Sequence, residues 1–203
     1  MRLRGRPTLQ TLAVVVAVFA LQHVVALAGP AAYVLFVLDG SVAARPWTLL
    51  TSIYAHSGTG HLLANGVALA VVGPFVARRT TPARFHAYFL TTGAVAGLAE
   101  VALGGIVGPP HAVVGASGAI LALLGYLLSG NALSTRLLDR VRLSARVQVV
   151  GLVAVVGLLT LATSGPGSAV FGHAAGLACG LVAGRWGILD AGGSPAPDPG
   201  YRL

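Results

Sequence analysis

Six apolar runs, each near the length of a membrane-spanning helix, with arginine clusters in every second connection, constrain this chain more than any other feature. They cover Leu9–Ala28, His61–Ala77, Phe85–Leu103, Ala112–Leu128, Val147–Thr163 and Ala169–Ile188. A hydrocarbon core about 30 Å thick takes about 20 apolar residues per spanning helix. Inside it, the backbone satisfies its polar groups only as helix or closed barrel. Composition agrees: 56% of the residues are hydrophobic and 9% charged, against about 25% charged in soluble domains. The expected fold is an all-α polytopic membrane protein with six spans.

The arginines orient the spans. Arg2, Arg4 and Arg6 precede the first; Arg78, Arg79 and Arg84 lie between the second and third. Arg136, Arg140, Arg142 and Arg146 lie between the fourth and fifth, and Arg185 and Arg202 at the end. Only Arg45 falls in the alternate connections, so twelve of thirteen arginines share one side. Positive charge is retained in the cytoplasm, which predicts that both termini are cytoplasmic. The net charge of +8 comes entirely from arginine. A basic balance suggests nucleic acid in a soluble protein, but here topology accounts for it and no nucleic-acid partner is expected. The single cysteine, Cys179, excludes an intramolecular disulfide and offers no zinc-type ligand cluster.

Met1–Arg6 followed by an apolar stretch resembles a signal peptide, yet the stretch is long and holds Gln22 and His23, so it is read as a helix. The first outer connection, Gly29 to Gly60, contains the short apolar AAYVLFVL and then RPWTLLTSIYAHSGTG. With Trp47 and Tyr54 nearby, it suits a structure half-sunk in the outer interface. The tail from Ala191, AGGSPAPDPGYRL, is rich in Gly and Pro and is expected to be disordered. One membrane domain, 1–190, and a cytoplasmic tail, 191–203, follow; no internal repeat is visible.

Polar residues within the spans converge on one level. Spans two, four and six run in the same direction. His61 and Asn65 lie in the first turns of span two, Ser117 about five residues into span four, and His173 about four residues into span six. At about 1.5 Å per residue these depths match. Each residue also has a plainer role. A serine in a membrane helix usually packs or bonds to its own backbone, and an asparagine can serve as an interhelical donor. A histidine in a span is costly, and function is its default reading. Gly176 and Gly180 form GxxxG, at i+3 and i+7 from His173 and hence on its face. If span six packs this face on span four, Ser117 meets His173.

A serine becomes a nucleophile when a base takes its proton, and imidazole is the usual base. His61, Asn65 and the Ser117 backbone N–H are the candidate donors to the oxyanion that acyl transfer develops. Asp39, Asp139, Asp190 and Asp198 lie in connections or at the ends. Glu100 is the sole carboxylate at suitable depth, and a Ser–His dyad without it is the simplest arrangement.

GASG at 115–118, HAAGLACG at 173–180 and HSGTGHLLAN at 56–65 together resemble the rhomboid family of intramembrane serine proteases. The last block is similar to the family's His-x4-His-x3-Asn pattern, and Trp47–Thr51 to its Trp-Arg-x-x-Thr stretch. The resemblance spans about residues 45 to 184, in family order. It implies a six-helix bundle with a long, partly interfacial outer loop between helices 1 and 2. It also implies cleavage of transmembrane protein substrates in or beside the lipid bilayer by a Ser117–His173 dyad. His61 and Asn65 would line the oxyanion site, Gly115, Gly118, Gly176 and Gly180 would support helix packing, and no metal or cofactor would take part. A multi-pass protein of a bacterial plasma membrane, its site opening outward, is the corresponding expectation.

Three positions depart from the family pattern. Thr48 stands where arginine is usual, Leu121 where a Tyr or Phe often packs on the histidine, and Gly172 where alanine usually precedes it. The alternative is a non-catalytic rhomboid-like protein that binds membrane helices as a chaperone or trafficking factor. Such relatives typically lack the serine or the histidine. A small transporter would predict inverted repeats or broken helices, and a haem protein a partner for His23 or His173; neither is visible.

Overall fold

A computed structural model describes residues 6–27, 29–107, 112–129 and 169–190. The expected fifth span and the tail from 191 lie outside the described residues. Helix α1 is Pro7–Ala26, α2 Ala31–Phe36, α3 Thr48–Tyr54, α4 Thr59–Ala77 and α5 Pro82–Ala99. A π-helical turn, Glu100–Gly104, extends α5 into the short α6, Gly105–Val107; α7 is Ser117–Ser129 and α8 Val170–Arg185. Among the described residues, three helical stretches are long and apolar enough to cross a bilayer: Pro7–Ala26, Thr59–Ala77 and Pro82–Val107. Two shorter apolar helices, α7 and α8, pack between them. The protein is a polytopic helical membrane protein.

The helix limits follow local chemistry. Proline opens α1 and α5, where its missing N–H has no intrahelical acceptor to lose. Thr81 caps α5, its side-chain oxygen accepting from Arg84 N–H at 3.3 Å. In α4 the usual polarity of a helix is inverted. Leu63, Val67, Val71 and Phe75, four residues apart, form an exposed stripe, while Asn65, Leu69, Gly73 and Val76 face inward. In lipid, bulky apolar side chains lose little by facing outward, and Gly73 on the inner face lets Thr8 of α1 approach closely.

That logic is strongest between α7 and α8. A Cβ on Gly176 would meet the Gly118 carbonyl oxygen, and one on Gly180 the Ala122 carbonyl oxygen. One on Gly125 would lie 2.5 Å from Leu177 O. Ser129 Oγ donates to Leu181 O at 2.7 Å, closing the far end of the pair. Tyr88 of α5 adds a hydroxyl donated to Ala122 O at 3.0 Å. Tyr126 donates to Asp190 Oδ1 at 2.7 Å, while Arg84 reaches Asp190 O at 3.0 Å.

One expected boundary is wrong. Span four was expected from Ala112, but the helix begins only at Ser117. Gly115 has φ +125°, outside the helical range, and Val113 pairs with Leu38 in an antiparallel bridge, N···O 2.8 and 3.1 Å. Ser117 therefore opens its helix rather than lying about a turn inside it.

The connection between α1 and α4 is built and anchored. Arg45 forks onto both oxygens of Asp39 at 2.6 Å, and Tyr33 OH donates to Asp39 Oδ2 at 2.9 Å. Burial alone would raise the Asp39 pKa; the Ser41 N–H, the Arg45 guanidinium and the Tyr33 hydroxyl together hold it at about 2. Trp47 Nε1 donates to Val34 O at 3.3 Å and Thr51 Oγ1 to Leu35 O at 2.6 Å, tying α3 to α2. Thr48, the departure from the Trp-Arg pattern, is buried and donates to Arg45 O at 2.7 Å. The loop thus keeps an arginine anchor, displaced three positions along the chain.

Candidate active site

The starts of α7 and α8 meet beside α3 and α5. Ser117 opens α7, His173 lies in the second turn of α8, and their side chains approach with Oγ 2.7 Å from Nε2. With the ring proton on Nδ1, the hydroxyl donates and Nε2 accepts, which is the arrangement a general base needs. His173 is 1% exposed. A small cavity reaches the pair, lined among others by Ser52, Val113, Gly115, Ser117, Ala169 and His173.

The backbone at the serine is set by its flank. Gly115 N–H donates to Ser52 O at 2.8 Å, fixing the extended approach to α7. As the first residues of a helix, Ser117 and its successors present N–H groups that have no intrahelical acceptor, at the positive end of the helix dipole.

His61 and Asn65 lie one turn apart on α4. A Cβ on Gly115 would lie 2.7 Å from His61 Cε1 and 2.8 Å from Nε2, so the ring rests on the Gly115 backbone, two residues before the serine. Its Nδ1 is 3.1 Å from Ser57 Oγ. Asn65 is buried and donates through Nδ2 to His61 O at 3.0 Å, one turn back on its own helix. Gly115, on which the His61 ring rests, lines the cavity that reaches Ser117 and His173. Gly115 combines a left-handed backbone conformation with close contact to the His61 ring of α4. Gly118, Gly176 and Gly180 do lie where α7 and α8 touch.

Other contacts were not anticipated from sequence. His56 rests edge-on against His61, ring centroids 4.9 Å apart, and its backbone is clamped by Gln22, whose Oε1 accepts from His56 N–H at 2.9 Å. Burial, with His61 adding to it, lowers the His56 pKa to about 4. Leu121 is buried against Leu177, one turn beyond His173; an aliphatic pair stands where an aromatic ring was the family expectation. Glu100 is 1% exposed and its Oε2 accepts from Gly172 N–H at 2.8 Å. The sequence signal for it was present: an ionisable residue within a span is costly and needs a partner. His23 bonds to Phe19 O at 2.9 Å on its own exposed helix face. Among the described residues, no group of three or more His, Cys, Asp and Glu is placed to hold a metal ion.

Residues 43–189 match the Rhomboid domain family. Over 82 residues the chain is 40% identical to Rhomboid protease GluP of Bacillus subtilis (strain 168), a match covering 40% of this chain and 15% of that protein. The chain therefore spans well under two thirds of that relative's length. On the extent of the domain match, the chain belongs to the rhomboid family.

Proposed function

We propose that this protein is an intramembrane serine endopeptidase that hydrolyses peptide bonds in or near transmembrane segments of other membrane proteins. The observation that carries the reading is the 2.7 Å separation of Ser117 Oγ and His173 Nε2 in a buried site. His173 takes the hydroxyl proton as Ser117 Oγ adds to the scissile carbonyl carbon. The imidazolium then returns that proton to the leaving amine, leaving an acyl-enzyme. Water, deprotonated by the same imidazole, releases the second product. The Ser117 N–H at the helix start is the best-placed donor to the oxyanion, with His61 and Asn65 supporting that region from behind Gly115. No cofactor or metal takes part in these steps.

The same reading places 1–190 in the membrane and 191–203 as a cytoplasmic tail. It puts both termini of a bacterial plasma-membrane protein inside and the site toward the outer face, because twelve of the thirteen arginines then lie inside. A reporter fused after Leu203 that is active only outside the cell contradicts this orientation.

The test is cleavage of a single-span model substrate co-reconstituted in liposomes. Wild-type protein is expected to release two fragments cut in or beside the span, and Ser117→Ala none. Wild-type protein that binds the substrate helix and leaves it intact supports the non-catalytic, helix-binding alternative instead.

A further inference from the structure

Helix α8 begins without a cap of its own. Its N-cap residue, Ala169, has no side-chain oxygen to offer, yet the first N–H groups of a helix lack intrahelical acceptors. An N-cap side chain ordinarily accepts from the second or third helical residue. In α8 the third residue is Gly172, and the acceptor of its N–H is Glu100 Oε2, at 2.8 Å, from a neighbouring helix. Glu100 opens the π-helical turn at the end of α5 and is 1% exposed. An acidic group at a helix N-terminus also meets the favourable end of the dipole.

The residue after Gly172 is His173, whose own N–H donates to Ala169 O at 2.8 Å. The backbone leading into the histidine is therefore held at two successive N–H groups, one by Glu100 and one by the helix itself. The approach requires glycine: a Cβ at 172 would lie 2.9 Å from Ala96 O and 3.3 Å from Glu100 Cβ. Glycine at 172, where the family pattern has alanine, and a carboxyl at 100 thus act as a pair. The small residue admits α5, and the carboxyl bonds the N–H that this closeness brings within reach.

We propose that Glu100 is a positioning residue, capping α8 through Gly172 N–H and thereby fixing the His173 imidazole at its distance from Ser117 Oγ. The inference rests on the serine-nucleophile reading above for its catalytic consequence, but not for the cap itself. Two substitutions separate reach from charge. Glu100→Gln keeps the length and an acceptor oxygen while losing the charge; Glu100→Asp keeps the charge but retracts the acceptor by one methylene.

The full chain in nanodiscs is tested by two readouts. The first is amide hydrogen exchange at Gly172 and His173; the second is the rate of fluorophosphonate labelling against probe concentration. Labelling forms the Oγ–P bond, expels fluoride and transfers the hydroxyl proton to His173. Because a misplacement near 1 Å can cost about a hundredfold, Asp is expected to lower the maximal labelling rate by about tenfold or more. Its half-saturating probe concentration is expected to stay unchanged, and Gly172 exchange to accelerate. Gln is expected to stay within about threefold of wild type in rate, with exchange unchanged. Asp matching wild type in both readouts, or Gln as impaired as Asp, overturns the proposal. Wild-type protein that resists the probe overturns the nucleophile reading and the catalytic half of this inference, while exchange still decides the cap.

Discussion

Ser117 Oγ lies 2.7 Å from His173 Nε2 although 56 residues separate them in the chain. Glycine brings them together: Gly176, three residues after the histidine, packs directly on the Gly118 backbone, one residue after the serine. The contact between a nucleophile and its base is thus a consequence of how closely two helices approach.

Substitution at Gly176 is therefore expected to act through distance. A Cβ there meets a backbone carbonyl, which cannot rotate aside, so Gly176→Ala forces α8 away from α7. Cleavage per folded protein is expected to fall by about a hundredfold. Gly184→Ala, two turns further along α8, is expected to cost much less. Equal and mild effects, measured on protein quantified by monodisperse elution, contradict this packing account.

The groups around the serine are expected to contribute unequally. Ser117→Ala and His173→Ala each remove a reacting partner and are expected to reduce cleavage to background. Asn65 spends a donor on His61 O, so Asn65→Ala is expected to cost about tenfold or less. Loss of a dedicated oxyanion donor costs about a hundred- to a thousandfold. A loss of that size for Asn65→Ala would show that the amide turns toward the substrate during turnover.

Acid stability is expected to depend on Asp39. Its folded pKa of about 2 lies below the ordinary carboxyl value of 3.8. The ionised form thus stabilises the fold fully above 3.8, and this contribution is lost as pH falls from 3.8 toward about 2. Asp39→Asn is expected to melt lower than wild type at neutral pH, with the difference shrinking across that window. Parallel melting curves for the two proteins from pH 5 down to pH 2.5 would remove the Arg45–Asp39 anchor from the account.

His56 sets a second window. Its pKa is lowered from 6.5 to about 4, by burial first. Stability tied to its neutral form is complete above 6.5 and declines as pH falls from 6.5 toward 4. His56→Phe keeps a ring against His61 and removes the proton site. Its melting temperature is expected to decline less than that of wild type between pH 6.5 and 4.

What was legible in the sequence is what short-range pattern encodes. Apolar length gives α1, α4 and α5 within a few residues, and the GxxxG face beside His173 gives the α7–α8 contact. Long-range backbone pairing is not encoded that way. Ala112–Ala116 is as apolar as the helix that follows, and the Leu38–Val113 bridge, the Gly115 N–H bond to Ser52 O and the Gly115 conformation keep it extended. The start of the helix at Ser117 rather than Ala112 therefore has no signature in the apolar pattern. The task of Glu100 depends on a π-helical turn and on the room left by Gly172, neither of which has a periodic signature. Composition marked it as costly without naming its partner.

The most direct test of the central claim is to map the adduct that a fluorophosphonate leaves on the purified protein. A single phosphonyl group on the peptide carrying Ser117 is expected, absent from Ser117→Ala and from protein denatured before treatment, and strongly reduced in folded His173→Ala. Labelling of another residue, or equal labelling of Ser117 in wild type and folded His173→Ala, would contradict a serine nucleophile activated by His173.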